Sequence, residues 1–324
     1  MTLPGGPGEW HLVTTSTRCG TTRLCCGRRA KGTRLPGAGG SLFVVSTSGP
    51  SEHVLQSFGL AGSHAQPQPG GQGDAWRAAG VVLKAVDDLH AAEWTARVVA
   101  GLEQRRFRIE RPVSAGNGDF VVDGWTAWRV VEGAHDLTRR WPEVIRTGEA
   151  LNEALAGAPR PPFLDQRVDV WAIGDRVAWE EQPFEVHDPG LRALAVRLRS
   201  WVRPTAEPSQ LIHGDLSGNV LFHEGLAPAV IDFTPYWRPS LFSLAVVAVD
   251  AVSWYGANAP LFNALPDHPD RTSMIARAGI YRLVTADRAA ITKPESVMVA
   301  YLADNTRSFA RLLTHLDDWC TDQG

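Results

Sequence analysis

Three oxygen-bearing side chains crowd one stretch of this chain: Asp215, Asn219 and Asp232. The first two lie in His213-Gly214-Asp215-Leu216-Ser217-Gly218-Asn219, and the third in Ile231-Asp232-Phe233. Two short apolar runs, Val220 to Phe222 and Ala229 to Ile231, flank the turn-rich segment His223 to Pro228. That is the pattern of a buried β-hairpin. Pairing centred near Gly225 sets Asn219 opposite Asp232 at one end of the hairpin. An Asn and an Asp with spare oxygens suit Mg²⁺, a hard cation that usually also holds substrate phosphates. A nearby Asp free of the metal, here Asp215, can orient a hydroxyl and accept its proton.

Such a cluster needs a phosphate-holding partner, and the N-terminal half supplies candidates. Short strands are expected at Ala65 to Pro69, Ala75 to Ala78 and Val81 to Val86, after a short helix over Val54 to Leu60. The first two strands are joined by Pro69-Gly70-Gly71-Gln72-Gly73-Asp74. A tip rich in glycine, with Gly70, Gly71 and Gly73, lets backbone N–H groups approach phosphate oxygens, although such tips also serve as plain tight turns. Lys84 ends the apolar run Val81-Val82-Leu83 and is the only lysine between residues 32 and 292. A lysine so placed offers a point charge to phosphates; otherwise it is a solvent-facing strand residue.

The run Asp88 to Leu102 reads as a helix with an apolar stripe at Ala92, Val98, Val99 and Leu102. Strands follow at Phe107 to Val113, Asp119 to Asp123 and Trp125 to Val131. Beyond Gly133 helices dominate. Leu137 to Ala156 is interrupted at Trp141-Pro142, and Asp188-Pro189 opens a capped helix. Arg167 to Ala178 reads as a strand pair about Gly174-Asp175. An apolar helix runs from Leu241 to Trp254, and Thr292 to Glu295 forms a capping-box start for the last one.

His-Gly-Asp-Leu-x-Gly-Asn followed by Ile-Asp-Phe resembles the catalytic loop and metal-binding Asp of aminoglycoside phosphotransferases and choline kinase-like small-molecule kinases. The resemblance implies an α+β, two-lobed protein-kinase-like fold with an antiparallel-sheet N-lobe, about 51–132, and a mainly helical C-lobe, about 133–324. It implies transfer of the γ-phosphoryl of ATP to a hydroxyl of a small molecule. Asp215 would be the catalytic base, and Asn219 and Asp232 the Mg²⁺ ligands. Lys84 would hold the phosphates under the Gly70, Gly71 and Gly73 loop. Glu93, the only acid in the body of the 88–102 helix, would pair with Lys84. Val131 and Glu132, just before Gly133, would form the connector that meets adenine.

Two departures from the family pattern bear on activity. Asn219 follows Asp215 by four residues where the family has five, a tightening that Gly218 is placed to absorb. The acids that often follow the metal Asp are replaced by Arg238-Pro239-Ser240-Leu241-Phe242-Ser243. Asp250 is the only acid between 233 and 266, in a region where Trp237, Trp254 and Tyr255 are placed to line an acceptor pocket. A polycationic aminoglycoside would want more carboxylates. The alternative is a catalytically weak or inactive nucleotide-binding module of pseudokinase type.

Composition excludes other classes. With a net charge of -3 over 324 residues, nucleic-acid binding has no electrostatic support. The longest apolar run, Leu241 to Val249, is far too short to span a bilayer. The four cysteines, Cys19, Cys25, Cys26 and Cys320, make no C-x-x-C pair, so a reduced, cytoplasmic protein is expected. Residues 1–50 carry six basic residues against one acid and no sustained period. They read as a disordered tail or an upstream extension, with a transit peptide as the other reading.

Overall fold

The computed structural model describes residues 49–68, 75–136 and 138–322. The N-terminal region opens with helix α1 (Glu52–Ser57), capped by the Ser51 hydroxyl, which accepts from the Val54 N–H. Strands β1 (Gln66–Pro67), β2 (Ala75–Ala78), β3 (Val81–Ala85), β5 (Val121–Val122) and β6 (Trp125–Arg129) form an antiparallel sheet ordered β1-β2-β3-β6-β5. Helix α2 (Leu89–Gly101) starts at an Asp88 cap and buries Ala96 and Val99. Val54, Leu55, Phe58, Leu83 and Ala127 make a small core between α1 and the sheet. Gly70, Gly71 and Gly73 lie outside the described residues.

The C-terminal region contains α3 (Trp141–Leu155), α4 (Val170–Ala178), α5 (Pro189–Arg199), α6 (Ser240–Trp254), α7 (Arg271–Ala290) and α8 (Glu295–Asp322). Short 3-10 turns lie at Leu164–Gln166 and Ala259–Ala264. Every residue of α6 from Leu241 to Ser253 is buried. A helix apolar on all sides belongs at the centre of a bundle, and α6 packs against α3, α7 and α8. Helix α7 is buried from Ser273 to Asp287 although it carries Arg277, Arg282 and Asp287. None of the described helices is long and apolar enough to cross a membrane.

Two small sheets complete the fold, and the first of them joins the regions. Strands β4 (Arg108–Ile109), β7 (Ala134–His135), β9 (Val220–Phe222) and β10 (Ala229–Val230) form one, ordered β4-β10-β9-β7. Strands β8 (Gln210–His213) and β11 (Pro235–Arg238) form the other. In the first, β4 runs parallel to β10, which ties the N-terminal region to the hairpin.

Three expected elements are corrected. Residues 170–178 are helix, not a strand pair. Asp169 caps this helix through the Ala172 N–H. Gly174 is an interhelical contact rather than a turn: a Cβ there would stand 2.4 Å from Thr285 Oγ1 of α7. Helix α3 begins at Trp141 with Pro142 in its first turn, and the described residues 138–140 before it are not helical. Residues 235–238, for which no element is expected from sequence, are a strand paired with β8, which leads into the Asp215 loop.

Candidate active site

The hairpin forms as expected, with Val230 opposite Val220 and Ala229 opposite Leu221. Its register differs from the expectation by one residue. Ile231, not Asp232, lies across from Asn219, and the Ile231 N–H donates to the Asn219 carbonyl at 3.0 Å. Asp232 therefore lies just beyond the ladder, with φ of 52°. Asp tolerates that left-handed conformation better than most residues, and such strain concentrates at functional sites.

The loop feeding the hairpin is tightly specified. His213 is fully buried; its Nδ1 accepts from the Asp215 N–H at 3.1 Å and its Nε2 lies 3.3 Å from the Ile231 carbonyl. Burial holds its pKa below the usual 6.5, so it is a neutral brace. Gly214 passes so close to Tyr236 that a Cβ would stand 2.1 Å from the ring. Gly218 has φ of +83°, which lets the short loop turn back into β9. Asn219 Nδ2 donates to the Asp215 carbonyl at 2.7 Å, locking the four-residue spacing.

Lys84 projects from β3 onto this end. Its ammonium lies 3.1 and 3.3 Å from the two Glu110 carboxylate oxygens and also contacts Asp232. Glu110 is 5% exposed. Its Oε1 also accepts from the Asp232 N–H at 2.6 Å. Burial alone would lower the Lys84 pKa, but Glu110 and Asp232 outweigh it and hold the ammonium above its ordinary value. Burial pushes the Glu110 carboxyl up, against Lys84 and the Asp232 N–H. Its donors all favour the carboxylate form.

Glu93 is not the lysine's partner. It accepts from the Phe120 N–H at 2.8 Å and pairs with Arg97 one turn along α2 at 2.6 Å. The partner comes from β4 instead. The Glu110 N–H bonds the Val230 carbonyl at 3.0 Å, so the parallel β4–β10 pairing delivers the carboxylate directly beside Asp232. In sequence Glu110 is an acid in the middle of the strand expected over Phe107 to Val113, with nothing to single it out.

Asp215 is held by a residue with no sequence signal. Arg282 of α7 reaches it with Nη2 at 2.5 Å from Oδ1. The same guanidinium grips Asp250 of α6 through Nε at 2.9 Å and Nη2 at 2.7 Å. Burial alone would lower the Arg282 pKa, but Asp250 and Asp215 raise it well above normal. Trp254 lies beneath the guanidinium, 5.9 Å away. Tyr255 follows it; burial, then the charges of Asp250 and Asp215, push its hydroxyl up to about 12. Trp237 is half-buried on β11.

Val131 and Glu132 lie where β6 has ended and β7 has not begun. The Glu132 carbonyl accepts from Arg108 Nη2 at 2.9 Å, so the connector is fastened to β4. Lys84, Glu110 and Asp232 contact one another, Asn219 holds Asp215, and Ile231, bonded to the Asn219 carbonyl and next to Asp232, joins the two groups.

A divalent cation is compatible with this donor set. With its amide nitrogen committed to Asp215, Asn219 has its amide oxygen available, beside a hard carboxylate at Asp232. Among the described residues no cluster of three or more His, Cys, Asp or Glu could hold a metal alone. Two oxygen ligands with the remainder left to phosphates and water is how Mg²⁺ is usually bound.

No protein-family model and no curated protein sequence matches the chain. Solved structures do. A choline/ethanolamine kinase family protein from Mesorhizobium loti is similar at 17% identity, with a TM-score of 0.51 over 79% of this chain and 94% of that one. A thermostable mutant of aminoglycoside phosphotransferase APH(4)-Ia is similar at 18% identity, with a TM-score of 0.50 over 82% of this chain and 97% of that one. The chain thus has the two-lobed fold of aminoglycoside phosphotransferases and choline kinase-family proteins.

Proposed function

We propose that the protein is a phosphotransferase that moves the γ-phosphoryl of Mg-ATP to a hydroxyl of a small molecule. The observation that carries this reading is that Lys84, Glu110 and Asp232 contact one another at the end of the hairpin where Asn219 holds the Asp215 carbonyl, the two groups being joined through the Ile231 N–H bonded to the Asn219 carbonyl. Lys84 holds the phosphates and Glu110 orients it. Asn219 and Asp232 are the Mg²⁺ ligands, and the bound ion would neutralise charge on the phosphoryl oxygens. Asp215 orients the acceptor hydroxyl and takes its proton as the oxygen attacks phosphorus and the bond to ADP breaks. Val131 and Glu132 meet the adenine.

The acceptor is a hydroxylated molecule that is not a polycation. Asp250, the only acid between 233 and 266, is committed to Arg282 and cannot serve an ammonium group. Trp254, against the Arg282 guanidinium, and Tyr255, which feels the Asp215 charge, suit an acceptor with an apolar face.

A metabolite screen for ADP release, with Asp215→Asn as control, tests the reading. Turnover lost in the variant, with Mg-ATP binding retained, supports it. Unchanged turnover would sink the assignment of Asp215. The second reading, an inactive nucleotide-binding module, draws on the tie between Asp215 and Arg282; saturable nucleotide binding without turnover on any acceptor favours it.

A further inference from the structure

We propose that Arg282 is a positioning residue that sets the carboxylate of Asp215, and that Asp250 acts through it. This deepens the phosphotransferase reading and rests on it for its kinetic arm. The geometry is asymmetric in an informative way. Arg282 and Asp250 have side chains 6% and 1% exposed, while the Asp215 side chain is 44% exposed. A buried ion pair that served the fold alone would close on itself. This one shares Nη2 between the buried Asp250 and a carboxylate that opens to solvent.

The backbone of Asp215 is already fixed. Its N–H goes to His213 and its carbonyl receives Asn219. The side chain has no other restraint of that strength, and rotation about its bonds would sweep the carboxylate across the cleft. Arg282 occupies Oδ1 and leaves Oδ2 for the acceptor. Asp250 grips the guanidinium at two nitrogens, and a planar fork held twice has little rotational freedom. The Arg282 head group is further confined by Tyr281, with the ring 4.9 Å away and its hydroxyl 3.5 Å from Nη1. Helices α6 and α7 thereby hand their rigidity to a loop residue. Misplacement of a reacting group by about 1 Å costs on the order of 10²-fold in rate, which is the scale expected here.

The test uses the full chain. Arg282→Lys keeps the charge and loses the fork; it should lower kcat by roughly 10- to 100-fold while the KM for Mg-ATP stays within about twofold. Arg282→Ala should lose more, and millimolar guanidinium should restore about tenfold. Asp250→Asn should lower kcat with Arg282 still present. Asp287→Asn is the control: this buried acid of the same helix bonds the N–H groups of His187 and Asp188, so it should reduce melting temperature and leave kcat per folded molecule unchanged. Equal kcat in wild type and Arg282→Lys overturns the proposal, as does an Asp287→Asn loss matching that of Arg282→Lys. If wild type releases no ADP with any acceptor, the phosphotransferase reading fails by itself. Crystal structures of wild type and Arg282→Lys then decide the positioning claim. An Asp215 carboxylate displaced in the variant upholds it, and an unmoved one refutes it.

Discussion

Glu110 lies 3.1 Å from Lys84 and is presented by a strand, β4, that pairs with the catalytic hairpin itself. The acid of α2, Glu93, is turned to Arg97 and Phe120 instead. Lys84 reaches from β3 of the five-stranded sheet to Glu110 and Asp232, which lie just past the paired β4 and β10, and α2 supplies no part of the pair.

That arrangement separates two acids experimentally. Glu110→Gln should lower kcat/KM for Mg-ATP by roughly tenfold or more, about 1.4 kcal/mol, because Lys84 loses its buried counter-charge. Glu93→Gln should change it by less than about twofold. Steady-state kinetics on the two variants checks this, and the reverse order of effects would restore Glu93 as the partner.

The two proposed metal ligands should show in the magnesium dependence. Asn219→Ala and Asp232→Asn should each raise the Mg²⁺ concentration for half-maximal turnover, the latter more, since it removes a charge at the cation. Asn219→Ala should also loosen the loop, because its amide holds the Asp215 carbonyl. Titration of Mg²⁺ at saturating ATP reads this directly; an unshifted midpoint in both variants refutes the ligand set.

His213 should leave a signature in stability against pH. Its folded pKa lies below the unfolded 6.5 because burial opposes the charge. The unfolded chain then binds the extra proton first. The contribution is full above 6.5 and declines as pH falls from there toward the folded value, at up to about 1.4 kcal/mol per pH unit. Melting curves from pH 7.5 to 5 should fall less steeply for His213→Asn than for wild type. Identical slopes would mean that His213 does not supply the linkage.

Gly214→Ala should destabilise by overpacking. The added methyl would meet the Tyr236 ring, and Tyr236 is held by Tyr281 and Arg167. A loss of about 1–3 kcal/mol is expected. Gly218→Ala has open space around it but a positive φ, so it should cost only about 1 kcal/mol. Denaturant unfolding of both variants compares clash with strain in one loop.

What the sequence determined by itself was local. The hairpin, its turn, the caps of α2 and α5 and the apolar α6 follow from periodicity and residue type within a few positions. The candidates Asp215, Asn219, Asp232 and Lys84 are picked out by residue type beside short apolar runs together with the resemblance of their motifs to those of small-molecule kinases. Tertiary structure decided the rest, because the deciding contacts join residues far apart in the chain. Glu110 meets Lys84 and Asp232 only because β4 lies beside β10. Arg282 meets Asp215 only because α7 is drawn into the core against α4 and α6. Gly174 belongs to a helix because Thr285 packs against it. Charges such as those on α7 weaken a hydrophobic pattern when read along one chain segment. They become compatible with burial only when the fold supplies the opposite charge, and no periodicity within α7 encodes where Asp250 and Asp215 will be.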